Sequence, residues 1–470
     1  MDHRGAKSGD PVLYGAIHVC GAIVCLLRLL PFFMIASLAA PRADAEKPVY
    51  SLDDCLVSGL ARSARLANAA RDSAIAATRI RQVRAQVLPQ ATVRGQYTYQ
   101  EEVPVAVDTN GVNTPLGRRD NLLFSGEISQ LLYSGGSVRA GLNAAAAYRD
   151  LSRAVEAQAR AELERDIRQA FVHLLLTLAV ADVREQALAQ LEAWAAQVDA
   201  RHRQGTVSDF ERNSARVRVA NERPPLIRAR ADVELACTRL RNLARLDNGP
   251  FAVRGELLYH PFTNSLAELQ RDALALRPEL FQARQRVSLN RADLRAAQGD
   301  FAPRIRVRAG STAQNPPAGT AQDEYDWSWN AGVVAEWSLF DGGFRAAEVA
   351  RKRLELAKSE EDLDEMRRMI ALEVEALHAE CRQAAEAVAA TAENVALARQ
   401  NLGIARTRYD AGLVTHLEFT DAELALRNAS LGRLQALAGH AQSVAALICA
   451  RGRPAAETVD TREAGAHEQP

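Results

Sequence analysis

Aromatic side chains are scarce in this 470-residue chain, 5% of all positions, which argues against a fold built on packed sheets alone. Neither sign of charge is in excess: 58 Lys and Arg balance 58 Asp and Glu, so no global field points to nucleic acid. The nine histidines are scattered. Without an HExxH or a paired Cys/His spacing, no metal site or cofactor is expected. No nucleophile–base pair or phosphate loop is legible either, and an enzyme is the most distant reading. Cysteine is also rare. Cys55, Cys237, Cys381 and Cys449 lie far apart in helical patterns and read as small apolar fillers, although an oxidising compartment would permit a disulfide.

Long apolar runs are missing except near the N-terminus. There "LLPFFMIASLAA" (29–40) follows Arg28, and "ADA" (43–45) precedes Glu46. Residues 1–45 therefore read as an export signal. Residues 19–45 alone would also make one, which leaves the true start open. A membrane anchor is the competing reading, but Arg28 interrupts the apolar stretch from Pro11 to Ala40. The tail 453–470 lacks periodicity and is expected to be disordered.

What is present is duplication. "LLYSGG" (131–136) returns as "SLFDGG" (338–343), and "RHRQGTVSDFERNSA" (201–215) as "RYDAGLVTHLEFTDA" (408–422), both 207 positions on. "SLDD" (51–54) and Pro89 return as "SLAE" (265–268) and Pro303, offset by 214. Two tandem repeats follow, 46–258 and 259–452. Each opens on a capping box, Ser51 with Asp54 and Ser265 with Glu268. A helical segment of roughly 35 residues then runs to the proline. Strands come next, about 91–133 and about 304–340, ending at Gly135-Gly136 and Gly342-Gly343. Long helices follow, about 137–203 and about 344–411, each ~100 Å at 1.5 Å per residue. Tips at 204–208 and 412–415 place Gly205 and Gly412 past a helix end. Ser208 with Glu211 and Thr415 with Glu418 then open the returning helices as capping boxes. Pro224-Pro225 predict a kink or break in the first returning helix.

The strands alternate. Trp327, Trp329 and Trp337 share one face of "DWSWNAGVVAEW", while Ser328, Asn330 and Glu336 share the other. Val93, Tyr97 and Tyr99 oppose Thr92, Arg94, Gln96 and Thr98; Leu122, Phe124 and Ile128 oppose Ser125, Glu127 and Ser129. Apolar outward and polar inward is the pattern of an outer-membrane barrel with a wet lumen; an ordinary half-buried soluble sheet is the alternative. Four strands cannot close a barrel, and open edges are not tolerated in lipid. Two chains would give a barrel filled by side chains and three a conduit, so the strand count favours a homotrimer.

The doubled Leu-aromatic-x-Gly-Gly junction, the doubled Arg-x₃-Gly tip and "ALRPEL" (275–280) together resemble the TolC-type outer-membrane efflux protein family, over roughly residues 48–452. The resemblance implies a mainly α fold with a membrane β-barrel portion. In such a fold a trimeric 12-stranded barrel stands above a long α-helical periplasmic tunnel, in the outer membrane of a Gram-negative bacterium. It implies a passive exit channel of a tripartite efflux or type I secretion system. Its partners would be a periplasmic adaptor and an inner-membrane pump of RND, ABC or MFS type, with no catalysis of its own. It assigns Glu211, Tyr409, Glu418 and Asp421 to the periplasmic gate, with Glu211 accepting from Tyr409 and Asp421 in a threefold constriction. Gly205, Thr206, Gly412 and Leu413 become the adaptor-docking tips. Gly135, Gly136, Gly342 and Gly343 form the barrel–helix junction, and Trp327, Trp329 and Trp337 sit at the lipid interface. Where the family carries an arginine two residues after the second tip glycine, this chain has Val414. A pore-less periplasmic coiled-coil scaffold is the rival reading.

Overall fold

The computed structural model describes residues 48–103, 105–107, 111, 113–115, 119–314, 325–411 and 413–452. The expected export signal, the tail 453–470 and Gly412 lie outside the described residues. The first half runs β1 (Val49–Tyr50), α1 (Leu52–Arg62), α2 (Ala64–Ala85), β2 (Gln90–Tyr99), β3 (Val105–Val107), β4 (Asn113–Pro115), β5 (Asp120–Ser134), α3 (Ser137–Arg203) and α4 (Asp209–Ala244). After β6 (Ala252–Val253), the second half runs α5 (Leu266–Leu276), α6 (Pro278–Gly299), β7 (Arg304–Gln314), β8 (Asp326–Glu336), α7 (Phe344–Asp410) and α8 (His416–Arg451).

The duplication is visible in the lengths. α3 and α7 each have 67 residues, and α4 and α8 each have 36. A 67-residue helix spans ~100 Å, so each long helix passes from the sheet to a distant tip. Near the sheet the helices lie in the order α2–α3–α6–α7; toward the tips the order is α4–α3–α8–α7. Where short helices end against long ones, two related cores form. The first gathers Cys55, Leu163, Ile167, Phe171, Leu174 and Leu240. The second gathers Leu269, Leu280, Ile370, Val374, Cys381 and Leu447. A two-residue parallel ladder, β1 with β6, closes the first half onto itself.

Three expectations are corrected. The helical segment before each strand pair is two helices, not one. Ser63 ends α1 and caps α2, its hydroxyl accepting from Leu66 N–H. Arg277 is extended (φ −64°, ψ 128°), because Pro278 disfavours helical backbone in the residue before it. Of the kink or break expected at Pro224-Pro225, the break is absent: α4 is continuous through both. The flanking Glu222, Leu226 and Ala229 are buried against neighbouring helices, and packing along one face outweighs the lost backbone bonds. Third, the capping boxes at the tips are one-sided. Ser208 and Thr415 accept from the N–H groups of Glu211 and Glu418 (3.2 and 3.3 Å), while Ser51/Asp54 and Ser265/Glu268 form both bonds.

Glu222, 7% exposed, ties the halves together. Arg184 of α3 donates to its carboxylate at 3.0 Å and Arg427 of α8 reaches the other oxygen at 3.1 Å. Removing one member of such a buried group strands the other charges. Glu222→Ala should therefore cost about 3–5 kcal/mol. Glu185→Ala, which breaks an exposed pair with Arg230, should cost under about 1 kcal/mol. Thermal unfolding followed by helical circular dichroism checks the contrast, and equal losses would contradict it.

Candidate functional site: an amphipathic sheet above two helical hairpin tips

Among the described residues no helix is long and apolar enough to cross a membrane. The sheet has a different character. Its order is β2-β5-β7-β8, antiparallel throughout, so the two strand pairs join edge to edge through β5 and β7. Register partners share a face, and the register separates the faces by chemistry. Across one face run Val93 and Gly126, then Ile128 and Ala309, then Val307 and Val333. Across the other run Ser129 and Arg308, Ser125 and Thr312, and Arg304 and Glu336. Arg308 lies 3.6 Å from Glu127 on this polar face.

Among the described residues the large side chains of the apolar face stand uncovered. Val93 is 86% exposed, Trp329 81% and Val333 67%. Tyr97, Tyr99, Trp327 and Trp329 lie at the end away from the helices. Tyr133 and Trp337 lie at the helix end, where Trp337 Nε1 donates to the Phe301 carbonyl at 3.0 Å. A bulge between Leu131 and Tyr133 shifts the alternation by one residue and turns Tyr133 to the apolar side. Trp329 and Trp337 are eight residues apart, about 26 Å in extended chain. That is close to the apolar band between the aromatic girdles of a membrane barrel. Trp337 itself lies one residue beyond β8, which ends at Glu336, short of the expected end near 340.

Below the sheet the chain turns into its long helices through left-handed glycines: Gly135 (φ 63°), Gly136 (86°), Gly342 (67°) and Gly343 (90°). They are not equivalent. A Cβ on Gly135 would stand 2.1 Å from the carbonyl oxygen of Gly299, the last residue of α6, whereas none of the other three would meet anything within 4 Å. Asp341 fixes the second junction by accepting from Gly343 N–H at 3.1 Å and Arg345 Nε at 2.6 Å. The Arg345 guanidinium holds the Asp341 carboxyl below the usual carboxylate range.

At the far end α3 closes with Gly205 (φ 74°). Gly205 N–H bonds to the His202 carbonyl and Thr206 N–H to that of Arg201, the paired bonds of a Schellman turn. Leu413 N–H repeats the second bond to Arg408. Arg212 and His202 both meet Asp209, at 2.9 and 3.1 Å. In the second tip Tyr409 stacks on Phe419 instead, ring centroids 5.3 Å apart and 17° from parallel.

The model of the family described as outer membrane efflux protein matches residues 56–244 and 269–453. The chain belongs to the outer membrane efflux protein family. As a member it is an outer-membrane protein with a large helical periplasmic portion. Protein CyaE of Bordetella pertussis is 29% identical over 175 residues, 37% of each chain, so the alignment spans little more than a third of that relative. The Campylobacter jejuni CmeC outer membrane channel shares the fold, with a TM-score of 0.74 at 15% identity over 85% of both chains. The Neisseria gonorrhoeae MtrE outer membrane channel, solved in its open state, gives 0.69 at 19% identity over 85% of this chain and 88% of that one. VceC of Vibrio cholerae gives 0.70 at 18%, over 85% and 96%.

In this efflux-family chain Glu211, Glu418 and Asp421 are exposed near the tips, as are Gly205, Thr206 and Leu413, while Tyr409 is half-buried. Phe210, 79% exposed beside the first tip, went unread in the sequence, although an aromatic in the first turn of a capped helix was the available signal. The Glu222 cluster had none, because Arg184 and Arg427 reach it only through tertiary packing. Gly136→Ala should cost about 1–2 kcal/mol for the left-handed backbone. Gly135→Ala should cost clearly more, since its methyl meets backbone that no rotamer can move. Equal shifts in thermal unfolding would contradict the contact between the two halves.

Proposed function

We propose that three copies of this chain join edge to edge into a twelve-stranded barrel over an α-helical tunnel. The trimer is the passive outer exit duct of a tripartite efflux or type I secretion system. The observation that carries this reading is the open sheet. β2 and β8 are its end strands, and an apolar face lies bare beside them. Several kcal/mol for each unpaired backbone group in lipid makes such edges untenable.

The internal repeat supports how they close. The order α2–α3–α6–α7 alternates short and long helices, so α2 of a second copy continues the alternation beyond α7. Gly342 stands in the second repeat where Gly135 stands in the first. The open space beside it is the place α6 occupies next to Gly135. Two copies would give eight strands and an interior filled by side chains; three give twelve and a conduit.

At the periplasmic end, Asp421 from each copy forms a ring of like charges that attracts cations. Glu418 adds to the negative mouth, and Tyr409 bonds Glu211 in the closed state. The tips at Gly205-Thr206 and Gly412-Leu413, with exposed Phe210 and Leu417 beside them, receive a periplasmic adaptor. Through it they face an inner-membrane pump of RND, ABC or MFS type, which sets the substrate. In planar bilayers the purified protein should form cation-selective channels, and Asp421→Ala should lower that selectivity. Unchanged selectivity would remove Asp421 from the constriction. No conductance at all would favour the pore-less scaffold.

A further inference from the structure

From the double glycine on, the repeat sets each residue of the second half against one 207 positions earlier, and at one place the match breaks chemically. In the first half Phe171, Leu174 and Leu175 of α3 and Val233 of α4 contribute to the apolar core. Chain crosses directly above them: a Cβ on Gly255 would come within 3.2 Å of Phe171 and 3.3 Å of Leu175. The counterparts in α7 and α8 are His378, Cys381, Arg382 and His440. With Tyr259 and Phe262 these four line a half-open cavity of about 240 Å³.

His440 is the informative member. It is 2% exposed, it lines the cavity, and its Nε2 has no hydrogen-bond partner. An orphaned buried polar atom is destabilising, a penalty the valine of the first half avoids. Tyr259 packs on its ring at 4.8 Å between centroids. Burial, then the neighbouring His260, lowers the His440 pKa, which favours the neutral imidazole; with its proton on Nε2 that ring can donate to a ligand oxygen. Burial likewise pushes the Cys381 thiol up, so no thiolate opposes an anion there. A metal does not fit: no three His, Cys, Asp or Glu side chains come together for one among the described residues, and Arg382 repels cations. An apolar cavity of about 150 Å³ takes benzene; this one is larger and carries a cation at its rim.

We infer that the cavity binds a small aromatic carboxylic acid, its carboxylate on Arg382 and the imidazoles of His378 and His440, its ring against Tyr259 and Phe262. The inference goes beyond the channel reading and stands without it. The test is a fluorine NMR titration of the full chain in detergent with 4-fluorobenzoate, using neutral 4-fluorobenzyl alcohol as the control. Binding should saturate at one acid per chain and be displaced by benzoate. It should weaken about tenfold or more in Arg382→Gln and in His440→Val. The second variant installs the first-half residue, so its thermal unfolding should match or exceed wild type while binding falls. Absence of saturation, equal binding of the alcohol, or unchanged affinity in both variants would overturn the site.

Discussion

A backbone that enters lipid must satisfy every N–H and C=O within protein, and the rest of this structure depends on that constraint. Each chain supplies four antiparallel strands with one apolar and one polar face, and two end strands. A soluble sheet of this kind would lay its apolar face on a core. Here, among the described residues, Val93, Trp329 and Val333 face outward uncovered, and Gly135 and Trp337 meet the end of α6 and the turn after it at the sheet's lower rim. In the proposed assembly, bare apolar face and open edge have one common remedy, a ring of like sheets in a solvent that replaces the missing core.

Near the sheet the long helices pack through small residues rather than large ones. In the part of α3 nearest the sheet, up to residue 160, every buried position is alanine: Ala140, Ala145, Ala147, Ala154 and Ala159. Small side chains let long helices run close together over many turns. Large apolar residues concentrate where short helices end, around Ile167 and Leu240 in one half and Ile370 and Leu447 in the other. The two halves touch through specific contacts: Gly135 against Gly299, Glu222 between Arg184 and Arg427, and Gln282 donating to Gln158 at 2.7 Å. Each links elements that lie far apart in the chain.

That separation decides what could be read before the structure. Local chemistry was legible: Ser51 and Ser265 announce their helices, the double glycines mark the strand-to-helix turns, and the alternation around Trp327 and Trp329 assigns a face. Tertiary consequences were not. Nothing local says that β5 pairs with β7, that a bulge at Leu132 turns Tyr133 outward, or that α4 tolerates Pro224-Pro225 because its neighbours hold Leu226 and Ala229. Glu211 and Glu418 show the limit of motif reading. The spacing of a capping box is present, yet neither carboxylate reaches its cap's backbone N–H; the hydroxyls accept from Glu211 and Glu418 N–H, and the Glu418 carboxylate accepts only from the Thr415 hydroxyl at 3.4 Å. His440 shows it in reverse: a histidine on a helical core stripe reads as packing, and only the cavity beside it reveals an unpaired nitrogen.

In the proposed assembly one chain's sheet is completed by sister chains in a membrane. Native mass spectrometry of the particle extracted from outer membranes with mild detergent tests it most directly. A complex of three chains should hold together in detergent. Single chains, staying in solution once detergent is removed, would contradict it.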